Sequence, residues 1–322
     1  MEGSAGTELH KFADDVRRGL TSSPKYLSSR YFYDDEGSRL FQQIMKLPEY
    51  YLTAAEIDIF TSQAGEILDA FFDGESAFDL IELGAGDGTK TAILIRHLLH
   101  NTVDLTYAPI DISREALDHL TETFRSEFPR LRLKPRHGDY LQVLGSLKND
   151  SVRKKIVMFL GSNIGNFRRE QALDFFRNLR SAMNESDRLF IGFDLQKDPQ
   201  IILDAYDDAG GVTAEFNLNL LSRINREIGA DFDVDEFSHY AIYHPLECAA
   251  RSFLVSRKRQ TVDISSLGMK VEFEPWEAIF MEISQKYSLP MIEDMAQECG
   301  FTVMKSFFDS RNFYTDSLWR PI

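Results

Sequence analysis

Between residues 77 and 195 the chain alternates short apolar runs with longer stretches in which apolar positions recur every three or four residues. The first pattern marks buried strands and the second amphipathic helices. Strands are expected at 78–83, 105–112, 131–134, 156–160 and 189–195, and helices at 89–100, 114–128 and 170–183. Such alternation predicts a parallel sheet wound by right-handed crossovers. After Leu195 the rhythm changes. Helical spacing continues over 198–209 and 213–228, but 250–264 and 269–284 read as two long antiparallel strands turning near 265–268. A helix at 290–299, stopped by Gly300, precedes strands at 301–308 and 312–319 that can resume the sheet. The expected architecture is an α/β core at 61–195 and 287–322, with a second, α+β domain built from 1–60 and an insertion at 196–286.

Composition narrows the classes of partner. The 322 residues carry 36 Lys and Arg against 51 Asp and Glu, a formal charge of −15. That balance repels a phosphate backbone, so nucleic acid is not an expected partner. The two cysteines, Cys248 and Cys299, allow at most one bridge, and the seven histidines show no metal-ligand spacing, so no metal is expected. The start of the chain has neither a basic nor an apolar leader segment, and no apolar run approaches the roughly 18 residues that span a bilayer. A reduced, cytoplasmic monomer without a membrane partner is the expectation, with a small molecule as ligand.

Chemistry concentrates where strands end. The first strand runs into Gly84-Ala85-Gly86-Asp87-Gly88-Thr89-Lys90-Thr91 and then a helix. Glycines there let a ligand approach the backbone, and the helix offers free N–H groups to a carboxylate or phosphate. The third glycine falls one place early for the dinucleotide fingerprint, which makes a nicotinamide enzyme the weaker reading. Asp111 closes the second strand, placed to take ribose hydroxyls. Asp139 and Tyr140 follow the third, able to hold an adenine amine and pack on its ring.

This constellation resembles the class I S-adenosylmethionine-dependent methyltransferases. A narrower similarity lies in Ile44-Met45-Lys46-Leu47-Pro48-Glu49-Tyr50-Tyr51, Phe159-Leu160-Gly161-Ser162-Asn163-Ile164-Gly165-Asn166, Asp204-Ala205-Tyr206-Asp207-Asp208-Ala209 and Glu282-Ile283-Ser284. These look like motifs of the histidine-specific N-alpha-methyltransferases of ergothioneine biosynthesis, in the same order and over nearly the whole chain after the first ten or so residues. The resemblance implies a Rossmann-like sheet with a second, substrate-binding α+β domain. It implies S-adenosyl-L-methionine as cofactor, held by Gly84, Gly86, Lys90, Asp111, Asp139 and Tyr140. It places Tyr33, Asn166 and Gly161 at the reacting amine, and Tyr50, Phe41, Tyr206, Glu282 and Ser284 around an amino-acid substrate. The implied reaction adds three methyl groups to the α-amino nitrogen of L-histidine, giving hercynine.

The residues themselves permit that substrate. Glu282 and Ser284 lie two apart on an expected strand and so share a face. A carboxylate accepts from one imidazole N–H while a hydroxyl pairs with the other nitrogen. Three positions depart from the family pattern: Asp87 in the glycine turn, Asn163 where threonine is common, and Ser252 in place of a larger apolar residue. The last could open room for another amine, a tryptophan derivative being the principal alternative. A non-catalytic nucleoside sensor is the reading from another class, and the intact set Asn166, Tyr206, Glu282 and Ser284 speaks against it.

Overall fold

Apolar runs flanked by glycine turns form the strands of a central sheet because each run can bury both faces between helices. The computed structural model describes residues 2–72, 77–100, 104–138 and 153–322. In chain order its strands are β1 (Lys25–Tyr26), β2 (Ala77–Leu83), β3 (Asp104–Asp111), β4 (Arg132–Leu133), β5 (Arg136–His137), β6 (Lys154–Phe159), β7 (Arg188–Asp194), β8 (Phe237–His244), β9 (Ala249–Ser256), β10 (Gln260–Ile264), β11 (Met269–Phe273), β12 (Ala278–Gln285), β13 (Phe301–Phe308) and β14 (Tyr314–Pro321).

The chain divides into two units. The sheet unit comprises residues 51–197 and 285–322, and the insertion unit 1–50 and 198–284. The expected boundary at residue 60 therefore moves to 50. The reason is the helix Tyr51–Ser62, whose buried Leu52, Ala55, Ile59 and Phe60 pack it within the sheet unit, against β14 and the helix Thr89–His100.

In the sheet unit the strand order is β13-β14-β7-β6-β2-β3-β4, with β5 also on β3. Strands β7, β6, β2, β3, β4 and β5 are parallel, while β14 runs antiparallel to both neighbours. This is the doubly wound sheet expected, extended by an antiparallel strand. The order reverses at β2, and ligands bind such sheets beyond the carboxyl ends of the strands at that point. The expected strand at 131–134 is split: β4 and β5 flank Lys134 and Pro135, and the proline has no N–H to give the ladder. Beneath the sheet, Phe176, Phe193, Phe301 and Trp319 pack ring on ring in the core.

The insertion unit has a four-stranded sheet, β1-β12-β9-β8, and a two-stranded one, β10-β11. The two long strands expected at 250–264 and 269–284 are each broken. The inner halves form the β10-β11 hairpin, turning at Ser265–Leu267 with Gly268 at a left-handed φ of 57°. The outer halves, β9 and β12, join the larger sheet. The breaks fall at the charged run Arg257-Lys258-Arg259 and at Glu274-Pro275-Trp276-Glu277, where Pro275 cannot donate and Trp276 has φ 67°. The helix expected over 198–209 stops at Asp204 (Pro199–Asp204), because Asp208 turns its carboxylate to the N–H groups of Val212 and Thr213 and caps the next helix, Val212–Ile228. Its buried face, with Phe216, Leu220 and Ile224, packs in a core shared with Phe12, Leu40 and Met281. Among the described residues no helix is long and apolar enough to cross a membrane.

Candidate active site

The glycine turn after β2 has the geometry of a cradle. Gly84, Gly86 and Gly88 have φ of 74°, 56° and 69°, a region costly for side chains with a Cβ. Gly88 serves packing, since a Cβ there would meet Leu120 and Phe124 at 2.8 Å. Gly86 serves access, for nothing lies within 4 Å of its virtual Cβ. Asp87, the departure in this turn, points its carboxylate to the Thr89 N–H at 3.0 Å and so caps the helix Thr89–His100. One of the orphan N–H groups at that helix start is thereby taken by the chain itself.

Asp111, at the end of β3, holds the turn: it accepts from Gly86 N at 2.9 Å and from Ser113 N at 2.8 Å. Burial raises its pKa above the ordinary aspartate range, against the lowering effect of those N–H groups. Each oxygen keeps lone-pair capacity for a ligand hydroxyl. A turn open over Gly86, a helix start and a carboxylate at the next strand end fit a nucleoside with a charged amino-acid tail. Asp139 and Tyr140 lie outside the described residues.

After β6 the chain makes a tight turn in which Gly161 has φ 71° and Ser162 has φ 55°, followed by a short helical turn, Asn163–Asn166. Asn166, half-buried, thus stands at the same sheet edge as the glycine turn. Beneath this turn lies a cluster that sequence reasoning missed. Glu56, fully buried on the helix Tyr51–Ser62, accepts from Gly161 N at 2.9 Å, from the Tyr314 hydroxyl at 2.9 Å and from the Lys90 ammonium. Lys90, expected at the cofactor, is thus tied to Glu56. Burial acts most strongly, to lower its pKa, but the carboxylates of Glu56, Glu82 and Asp316 together hold it above its usual value. Asp316 is also fully buried, and burial together with Glu56 holds its carboxyl well above the usual range. The sequence signal was weak: a glutamate two residues before Asp58 in one helix, and an aspartate between Thr315 and Ser317 in the last strand.

The insertion unit gathers a different set. Tyr33, Phe41 and Tyr50 are all half-buried; Tyr33 and Phe41 pack on Phe216 and on each other, with ring centroids 5.6 Å, 5.8 Å and 5.4 Å apart, and Tyr50 packs on Phe41 at 6.1 Å. Phe216 was not singled out from sequence. On β12, Ser284 is buried and its Oγ accepts from the Tyr206 hydroxyl at 2.6 Å. Glu282, half-buried, lies two residues along the same strand. His239 Nε2 meets the Tyr206 carbonyl at 2.9 Å, and burial lowers the His239 pKa, so the neutral ring with Nε2–H donating supports the Tyr206 backbone. Ser252, on β9, is buried.

Residues 12–321 match the family of histidine-specific, S-adenosylmethionine-dependent methyltransferases. The histidine N-alpha-methyltransferase of Mycolicibacterium smegmatis is 37% identical over 273 residues, 85% of this chain and 83% of that protein. Ergothioneine biosynthesis protein 1 of Schizosaccharomyces pombe is 28% identical over 298 residues, 91% of this chain and 37% of that protein. The 4-dimethylallyltryptophan N-methyltransferase easF of Claviceps fusiformis is 31% identical over 206 residues, 61% of this chain and 57% of that protein.

Proposed function

The chain belongs to the histidine-specific, S-adenosylmethionine-dependent methyltransferases, and from that premise we propose that it methylates the α-amino nitrogen of L-histidine three times, yielding hercynine for ergothioneine biosynthesis. The observation that carries the choice of histidine is the Tyr206–Ser284 hydroxyl pair with Glu282 on the same strand. Ser284 Oγ accepts from Tyr206, and since a hydroxyl both accepts and donates, Ser284 would donate to the unprotonated ring nitrogen of a bound imidazole. Glu282 then accepts from the other ring N–H. An indole has one ring nitrogen, an N–H donor, and so offers no acceptor to the Ser284 hydroxyl.

S-adenosylmethionine supplies a methyl group activated on a sulfonium; Gly84, Gly86 and Asp111 would hold its amino-acid tail and ribose, with Lys90 at the tail carboxylate. The turn from Gly161 to Asn166 would hold the amine with its lone pair free. In each round the ammonium would first lose one proton to solvent, and the freed nitrogen lone pair would then form the N–C bond as the C–S bond breaks with its electrons passing to sulfur, the third round ending in a quaternary nitrogen with no proton. A nearby sulfonium disfavours the ammonium form by like-charge repulsion, which eases loss of that proton. Positioning of two reactants supplies roughly 7–11 kcal/mol of the barrier in well-oriented systems. Tyr33, Phe41 and Tyr50 offer aromatic faces to the growing quaternary cation, about 0.5–2 kcal/mol each.

Calorimetric titration with S-adenosylhomocysteine present tests the reading. Histidine should bind well above tryptophan, and tryptophan or a prenylated tryptophan binding more tightly would replace it.

A further inference from the structure

The chain passes between the two units three times, at 50/51, 197/198 and 284/285. The residues on the sheet-unit side of all three passages meet at a single buried carboxylate, Asp194 at the end of β7. Tyr51, the first residue after one passage, donates its hydroxyl to Asp194 Oδ2 at 2.8 Å. Lys197, the last before another, gives its ammonium to Asp194 Oδ1, to Tyr51 Oη at 2.9 Å and to the Leu195 carbonyl at 2.6 Å. Lys286, two residues after the third, reaches Asp194 Oδ2 at 2.7 Å. Asp194 and Lys286 are fully buried, and Lys197 nearly so.

The same residue also holds the turn that carries Gly161 and Asn166. Asp194 N–H donates to Ser162 Oγ at 3.1 Å, and Ser162 sits in the left-handed region, a conformation its surroundings must enforce. Tyr287 N donates to the Asp194 carbonyl at 2.9 Å, while the Tyr287 hydroxyl donates to the Ile164 carbonyl at 3.2 Å inside the turn. A further brace comes from the β13–β14 loop, where Phe313 O accepts from Leu195 N at 3.0 Å and the Phe313 ring packs against Tyr51.

We propose that Asp194 is a positioning residue for methyl transfer, its carboxylate gathering the three interdomain passages while its backbone fixes the Gly161–Asn166 turn that serves the acceptor amine. The assignment of that turn to the amine rests on the function proposed above. Two ammonium groups on one buried carboxylate explain why the charge, and not only the shape, of Asp194 is needed. A buried ammonium left without its counter-charge is strongly destabilised. Burial already pushes the Lys197 ammonium down to about 8, with Asp194 opposing that fall. Sequence alone hid the arrangement, since Tyr51, Lys286 and the Asp194–Lys197 pair come from three separate segments and meet only through the fold.

The test compares the wild-type chain with Asp194→Asn, which keeps the shape and removes the charge. Turnover is followed on whichever amine the wild type methylates, S-adenosylhomocysteine affinity by calorimetry, and backbone hydrogen exchange in peptides covering 161–166. The expected result is a kcat at least tenfold lower, S-adenosylhomocysteine affinity within about threefold of wild type, and exchange at 161–166 at least tenfold faster. The double variant Asp194→Asn with Lys286→Met removes one ammonium along with the carboxylate and should recover at least threefold of the lost kcat. Unchanged kcat and exchange in Asp194→Asn would overturn the proposal. So would a parallel loss of kcat, affinity and melting temperature that the double variant does not relieve, which marks a purely structural residue. If Asp194→Asn does not fold, Ser162→Ala and Tyr51→Phe carry the same measurements. A kcat at least fivefold lower at unchanged S-adenosylhomocysteine affinity supports the proposal, and wild-type behaviour in both contradicts it. Failure to methylate histidine would remove the substrate reading alone, because these ratios use the amine that is turned over and the exchange measurement needs no turnover.

Discussion

Single side chains carry the substrate reading and its sharpest tests. Glu282→Ala should weaken histidine binding about tenfold to a hundredfold, the range for losing a hydrogen bond to a charged group, while S-adenosylhomocysteine binds as before. Calorimetry reads both, and unchanged histidine affinity would place the imidazole elsewhere. Phe41→Leu should slow the third methylation more than the first, by about twofold to tenfold, measured as accumulation of the dimethyl intermediate by mass spectrometry. Equal slowing of all three steps would dismiss the aromatic contribution. Glu82 gives a pH signature. It is fully buried, accepts from Thr91 Oγ1 at 2.8 Å and from the Tyr107 hydroxyl, and burial raises its pKa to about 7. A carboxyl raised in the folded state contributes stability that is complete below the ordinary value near 4.5 and lost as pH rises through about 7. The melting temperature should therefore fall between pH 5 and 8, by an amount corresponding to about 3 kcal/mol, and Glu82→Gln should flatten that slope. At this scale the sequence announced residues whose neighbours in the chain mark a turn or strand end, such as Gly86 and Asp111. It was silent on Glu56, Asp194 and Phe216, whose partners come from distant segments.

Elements were legible where one pattern persisted for a full length. The helix expected at 89–100 is observed as Thr89–His100, and the strand expected at 301–308 as Phe301–Phe308. The reading failed where a strand kept its apolar alternation across a break, at 257–259 and 274–277, because alternation reports burial and not which sheet buries it. It also passed over β8, whose half-buried pattern is weak. The glycine turn separates packing from binding within five residues. Gly88→Ala combines a left-handed φ with close contact to Leu120 and Phe124, and should lower stability by about 2–4 kcal/mol, seen as a fall in melting temperature. Gly86→Ala meets open space, so only the backbone term of about 1 kcal/mol applies. There the larger effect should be on S-adenosylhomocysteine affinity, since the new methyl occupies the approach to the turn. Equal stability losses at both positions would contradict this division.

At the scale of the whole chain, the sheet unit contains the glycine turn, Asp111 and the Gly161–Asn166 turn, and the insertion unit contains the aromatic cluster and Tyr206, Ser284 and Glu282. The sequence conveyed the alternation that makes the sheet but placed the boundary ten residues late, because the helix Tyr51–Ser62 follows the aromatic segment in the chain yet buries its apolar face in the sheet unit. A net charge of −15 repels a polyanion. The most direct measurement is mass spectrometry of the purified protein incubated with S-adenosylmethionine and an equimolar mixture of the free amino acids. The account predicts that histidine alone gains methyl groups, three in number and all on the α-nitrogen. Methylation of tryptophan in preference to histidine, or of a histidine ring nitrogen, would contradict it.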